Sequence, residues 1–165
     1  MDKKQVIVRF YRFKNRLKEK TAGLAPGKVS ISAEALEAAE QALTKMSEDY
    51  PDWVSGLIVK LQEQHGRCVD SPEKRRDCFE EINHISHDMK GQGGTFGYPL
   101  ITTIADSLYG FTYSRDAITD NQVELVKAHL DAMRAVIKGR VAGGGGEIGE
   151  KLIEGLDQAI KKYSD

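Results

Sequence analysis

From residue 32 onward, apolar positions along this chain recur at helical spacing. Leu36, Ala39, Leu43, Met46 and Tyr50 follow one another at alternating steps of three and four, the pattern of one apolar face on an α-helix. Ser32 is placed to cap that helix, with Glu34 in its first turn. Pro51 opens a new segment, in which Trp53, Val54, Leu57, Ile58 and Leu61 form an apolar face ending near Gly66. Ser71-Pro72 is a start signal, a serine cap followed by proline at the first helical position. The helix it begins carries Cys78, Phe79, Ile82, Ile85 and Met89. Pro99 begins the next, with Leu100, Ile104, Leu108 and Phe111 on one side. Thr119 or Asp120 caps another, where Val123, Val126, Leu130, Met133 and Ile137 keep the same rhythm. Gly143 to Gly146 reads as a flexible linker, and a last helix from about Glu147 carries Ile148, Leu152, Leu156 and Ile160.

Nothing after residue 32 alternates like a half-buried strand. Residues 1–28 differ: Val6, Val8 and Phe10 alternate, and Gly23, Pro26 and Gly27 break any long helix. The pattern therefore predicts an all-α protein of about six helices with short connections. A basic, mostly extended or irregular arm over 1–30 precedes a helical bundle over 31–140. A glycine-rich linker and C-terminal helix occupy 141–165.

Composition leaves that picture standing. The chain has 165 residues, 40% hydrophobic and 30% charged, which is enough for a sizeable core and an ordinary soluble profile. No apolar run approaches the roughly 20 residues that span a bilayer. No apolar stretch near the start leads to a small-residue cleavage site, so no secretory signal is expected. Cys68 and Cys78 lack CxxC spacing and read as reduced, structural thiols. A cytoplasmic location follows as the expectation.

Charge adds one asymmetry. Residues 3–20 hold Lys3, Lys4, Arg9, Arg12, Lys14, Arg16, Lys18 and Lys20 against Glu19 alone, which is +7 and leaves −8 for the rest of a chain whose net charge is −1. Such an arm, interleaved with Phe10, Tyr11 and Phe13, could meet nucleic acid or anionic lipid. A solvated tail packing its aromatics on an acidic body is the preferred reading, because no binding module accompanies it. Neither nucleic acid nor membrane is an expected partner, and a monomer is the expected state.

The stretch HDMKGQGGTFGYPL, residues 87–100, is where helical pattern and composition disagree. Each glycine within a helix costs about 0.5–1 kcal/mol relative to alanine, yet Gly91, Gly93, Gly94 and Gly97 crowd behind a histidine. With about 100° per residue, Cys78, Phe79, Ile82, Ile85 and Met89 fall in one arc, and His87 lies roughly 160° from its centre. His87 should face solvent. Glu80, Asn83, Gly91 and Gly94 share its side, with Lys90 one turn beyond and shifted by about 60°. An exposed imidazole with bulk cleared beside it suits a reaction between two proteins. A neutral imidazole is nucleophilic at physiological pH. It could take a phosphoryl group from another protein's aspartate, with Lys90 offsetting the added negative charge.

Those residues resemble a known family. His87-Asp-Met-Lys90-Gly91, followed by Gly97 and Leu100, is similar to the H-x-x-K-G-x-x-x-x-x-G pattern of histidine-containing phosphotransfer (HPt) domains, the four-helix intermediates of multistep phosphorelays. The resemblance covers roughly residues 33–140. It implies an up-down four-helix bundle with the N-terminal segment and C-terminal helix as additions. It implies His87 as phosphoacceptor through Nε2, Lys90 as the phosphate-neutralising cation, and Gly91 as the clearance for docking. The implied partners are response-regulator receiver domains or a hybrid histidine kinase, docking around Asn83, His84, Gly91, Gly94 and Tyr109. Two features depart from the family. Where the family often places a polar, frequently amide, side chain on the following helix to steady the phosphohistidine, this chain reads Asp106-Ser-Leu-Tyr109-Gly110, so either Tyr109 takes that place or nothing does. Gly93-Gly94 is more glycine than the pattern asks for, which predicts early fraying of the helix.

Two other readings compete. His84 and His87 at i, i+3, with Asp88 at i+4 from His84, have chelating spacing, though His65 and His129 have no obvious pairing partner. A receiver-binding adaptor that is never phosphorylated would use the same surface. An ATP-using kinase is not expected, because Gly143–Gly146 lacks the following Lys-Ser/Thr of a phosphate-binding loop. The expectation is a phosphocarrier rather than an enzyme, needing no cofactor.

Overall fold

The structure, a computed structural model, describes residues 32–113 and 117–163. The arm expected over residues 1–30 lies outside the described residues. The described residues are helical, with no strand among them. Five α-helices follow in order: α1 (Ala33–Asp70), α2 (Arg75–Gln92), α3 (Pro99–Thr112), α4 (Asp120–Lys138) and α5 (Gly146–Tyr163). A one-turn 3-10 helix, Pro72–Lys74, joins α1 to α2. Among the described residues, no helix is long and apolar enough to cross a membrane.

The chain divides into two compact units, Met1–Ala39 and Glu40–Asp165. In the first, the described residues are the opening turns of α1, capped as expected: the Ala35 N–H donates to Ser32 Oγ at 3.1 Å. The second holds the core. There α2 packs on α3, α3 on α4, and α4 on α5, around Ile82, Met89, Ile101, Ile104, Leu108, Val126 and Met133.

Pro51 does not divide the helix in which it sits, and this accounts for five helices instead of six. α1 runs 38 residues straight through it. A proline in a helix interior removes one donor and costs about 3 kcal/mol. Here Pro51 is itself buried, and Tyr50, Val54, Ile58 and Leu61 are buried around it. Keeping that stripe continuous offsets the lost hydrogen bond. Tyr50 meets Phe96 and Tyr98 at ring-centroid separations of 5.1 and 5.4 Å, so the loop after α2 marks where burial of the stripe begins. Leu36, Leu43 and Met46, on the apolar face that periodicity marks, are each half exposed or more.

The helix starts follow local chemistry. Thr119 forms a reciprocal capping box with Gln122 at the start of α4. Ser71-Pro72 begins the 3-10 turn rather than α2 itself, and the Ser71 side chain makes no capping bond. Arg75 then ties three elements together, donating to the carbonyls of Cys68 and Ile118 and to the Asp120 carboxylate. Cys68 and Cys78 are buried, free thiols. Burial, reinforced by Cys78 beside it, pushes the Cys68 thiol up to about 12, so it stays protonated and inert.

The glycine run before α5 is a built turn, not a spacer. Gly143, Gly145 and Gly146 all have positive φ, and the Gly143 N–H donates to the Gly97 carbonyl at 2.8 Å. A Cβ on Gly145 would lie 2.7 Å from Leu100 Cδ1. The turn therefore lies directly on the start of α3, and Leu156 of α5 joins the core.

His129 on α4 is wholly buried. Its Nδ1 lies 2.7 Å from the Leu125 carbonyl and its Nε2 3.1 Å from Ser107 Oγ, a pattern satisfied by the neutral ring protonated on Nδ1. Burial lowers its pKa from the ordinary 6.5. A histidine whose folded value is depressed contributes stability above its unfolded value and loses it as pH falls toward the folded value. Urea unfolding between pH 7 and pH 5 should therefore show a falling midpoint, and His129→Gln should flatten that fall.

Candidate functional site

Geometry around the motif follows from how α2 and α3 lie against each other. They run antiparallel in a constant register. Asn83 meets Thr112, His87 meets Tyr109, Lys90 meets Asp106, and Gly93 and Gly94 meet Thr102. The register is held where the helices are closest. A Cβ on Gly93 would lie 2.7 Å from the Tyr98 carbonyl oxygen and 2.8 Å from Thr102 Oγ1, distances real side chains do not tolerate. The Gly94 N–H donates to Thr102 Oγ1 at 2.9 Å, and the Tyr98 N–H closes the turn on the Gly93 carbonyl at 2.7 Å. The predicted fraying is not what these glycines do. α2 stays helical to Gln92, Gly93 is its C-cap in helical conformation, and both glycines dock α2 on α3. Gly97, with φ of +83°, takes the backbone out of the turn in a conformation that favours glycine.

Gly91 is different. It lies inside α2 and is exposed, and a Cβ there would have nothing within 4 Å. Among the described residues, no contact explains a glycine at this position.

His87 is exposed, and its ring centroid lies 5.2 Å from that of Tyr109, the planes tilted by 51°. Lys90 Nζ lies 4.0 Å from the Tyr109 ring centroid, within cation–π range, and 3.1 Å from Asp106 Oδ1. Tyr109 is thus flanked by the imidazole and the ammonium. It is held in turn by Asn83, whose amide donates to the Tyr109 carbonyl at 2.7 Å and to Thr112 Oγ1 at 3.0 Å. On α2, Asn83, His87 and Lys90 stand at i, i+4 and i+7, one row facing α3. The Asn83 amide hydrogens are therefore committed between the helices. His84 is exposed on α2, and Gly94 is exposed at the helix end.

Of the residues singled out in the sequence, the fold brings His87, Lys90, Asn83 and Tyr109 into one cluster, with Gly91 open beside it. Asp106 and Thr102 belong to the same seam and were not anticipated. The acid one turn before Tyr109 becomes a partner of Lys90 only once the register is known. No group of three or more potential metal ligands converges among the described residues, so the His84–His87–Asp88 spacing gains no further ligand there.

Comparison with known proteins identifies no match: no family model, no curated protein and no solved structure is similar to this chain.

The two kinds of glycine make opposite predictions. Gly93→Ala should destabilise by about 1–3 kcal/mol, as overpacking does. Gly91→Ala should leave thermal stability unchanged or raise it by about 0.5–1 kcal/mol, the helix-propensity gain. Thermal unfolding of the two variants checks this.

Proposed function

We propose that this protein is a histidine phosphotransfer intermediate. It accepts a phosphoryl group on His87 from the aspartyl phosphate of one receiver domain and passes it to another. In this reading α1–α4 are the up-down four-helix bundle of the HPt family, and α5 and the basic N-terminal arm are additions to it. The observation that carries the reading is the pairing of an exposed His87 imidazole with a Gly91 that no contact among the described residues requires. A cation one turn away, Lys90, completes the set.

The chemistry uses only the groups at hand. With its proton on Nδ1, the neutral ring offers the Nε2 lone pair to the phosphorus of the acyl phosphate. The Nε2–P bond forms as the P–O bond to the donor aspartate breaks, and that electron pair leaves on the donor carboxylate. The Nδ1 proton then equilibrates with water. Lys90 supplies positive charge near the transferred group, while Tyr109 limits where the imidazole can turn. Return to a second receiver is the same displacement in reverse. The chain takes and releases phosphate through partners and turns over no small molecule of its own.

Incubation with a receiver domain carrying a labelled aspartyl phosphate should transfer acid-labile, base-stable label to this protein. His87→Gln should abolish it. Lys90→Ala should lower the labelled fraction at equilibrium by about twofold to fivefold, the scale of a charge contact at a partly exposed site. A wild-type protein that binds the receiver yet takes no label would mark an adaptor instead, and equal label on His87→Gln would remove His87 from the reaction.

A further inference from the structure

Lys90 already has a partner. Its ammonium lies 3.1 Å from Asp106 Oδ1, with the lysine side chain 29% and the aspartate 64% exposed. Both helices contribute to this contact, Lys90 from α2 and Asp106 from α3, one turn along from the facing pair His87 and Tyr109. The Tyr109 ring adjoins His87 on one hand and Lys90 on the other. Any dianion carried by His87 would therefore enter a neighbourhood in which the Lys90 ammonium is shared with a carboxylate.

We propose that Asp106 is a positioning residue that sets the lifetime of the phosphoryl group on His87. This rests on the reading of His87 as phosphoacceptor. Asp106 draws Lys90 toward α3 while the imidazole is unmodified. A phosphoryl group brings roughly two negative charges. Lys90 then either stays with Asp106 and leaves that charge poorly matched, or turns to the phosphoryl group and leaves a bare carboxylate beside it. Both arrangements raise the energy of the phosphorylated state relative to one with a neutral residue at 106. Because the aspartate is well solvated, that penalty is modest in size, and Lys90 can exchange between the two anions. Phosphohistidine here is kept transferable rather than stored.

Asp106→Asn is the direct test. The amide keeps the size and the acceptor oxygen and removes only the charge. Wild type and variant are labelled on His87 with phosphoramidate, a small nitrogen-linked phosphoryl donor. The half-life of the label is followed after the donor is removed, and the equilibrium fraction is measured against a receiver domain. The variant should hold its label longer and shift the equilibrium toward itself, on the order of twofold to fivefold. The difference should shrink in 1 M salt, where screening reaches about 3 Å. It should also be non-additive with Lys90→Ala, as expected for residues in contact. A residue that only braced α2 on α3 would change the unfolding midpoint without this salt dependence. Asp106→Ser, which removes the charge with a smaller side chain, should act in the same direction. Labelled variants decaying at the wild-type rate or faster would overturn the role of Asp106 while leaving His87 as phosphoacceptor. Failure of wild type to take label from either source would overturn the parent reading, and this one with it.

Discussion

The close approach of Gly93 to the opening turn of α3 is the contact on which the rest of the structure depends. With no side chain at that point, the Tyr98 carbonyl and Thr102 hydroxyl come within reach of the α2 backbone. The antiparallel register of the two helices follows from there. Each later facing pair is a consequence of it: Lys90 with Asp106, His87 with Tyr109, Asn83 with Thr112. A bulkier residue at 93 would push α3 outward and misalign every one of these pairs. The polar seam of the site is thus set by an apolar requirement, the absence of a methyl group.

Seen this way, the glycines of the motif have separate duties. Gly93 admits the close approach of α3, Gly94 bonds Thr102 across the seam, Gly97 turns the backbone at positive φ, and Gly91 is an exposed helical position with open space where a Cβ would stand. The polar residues differ in the same way. Asn83 is spent inside the protein holding Tyr109, whereas among the described residues His87 has a ring contact with Tyr109 and remains exposed. For the proposed phosphotransfer, this row of side chains on two packed helices would supply geometry before a partner arrives.

Much of this was legible from spacing alone. The three-four rhythm located the helices because burying one stripe is what makes a helix worth forming in water. The outward aspect of His87 followed from its angle to Cys78, Ile82 and Met89. Pro51 misled because its local penalty is read easily, while the burial of Tyr50, Val54, Ile58 and Leu61 that offsets it is tertiary. Leu43 and Met46 misled in the opposite sense, since periodicity marks a face as apolar but cannot say whether anything covers it. The Gly143–Gly146 run looked like a spacer by composition, yet three positive φ angles and a bond to Gly97 make it a shaped turn. Asp106 was invisible for a similar reason: a surface acid acquires meaning only from the residue opposite.

The bond from the Gly143 N–H to the Gly97 carbonyl carries a consequence for variation in chain length. Tethers absorb insertions without notice, but a clasp does not. An extra residue among these glycines would displace α5's foothold on Leu100, and with it the base from which α3 rises toward Tyr109. The C-terminal helix, remote in sequence from the histidine, thereby acts as a gauge on the geometry of the site.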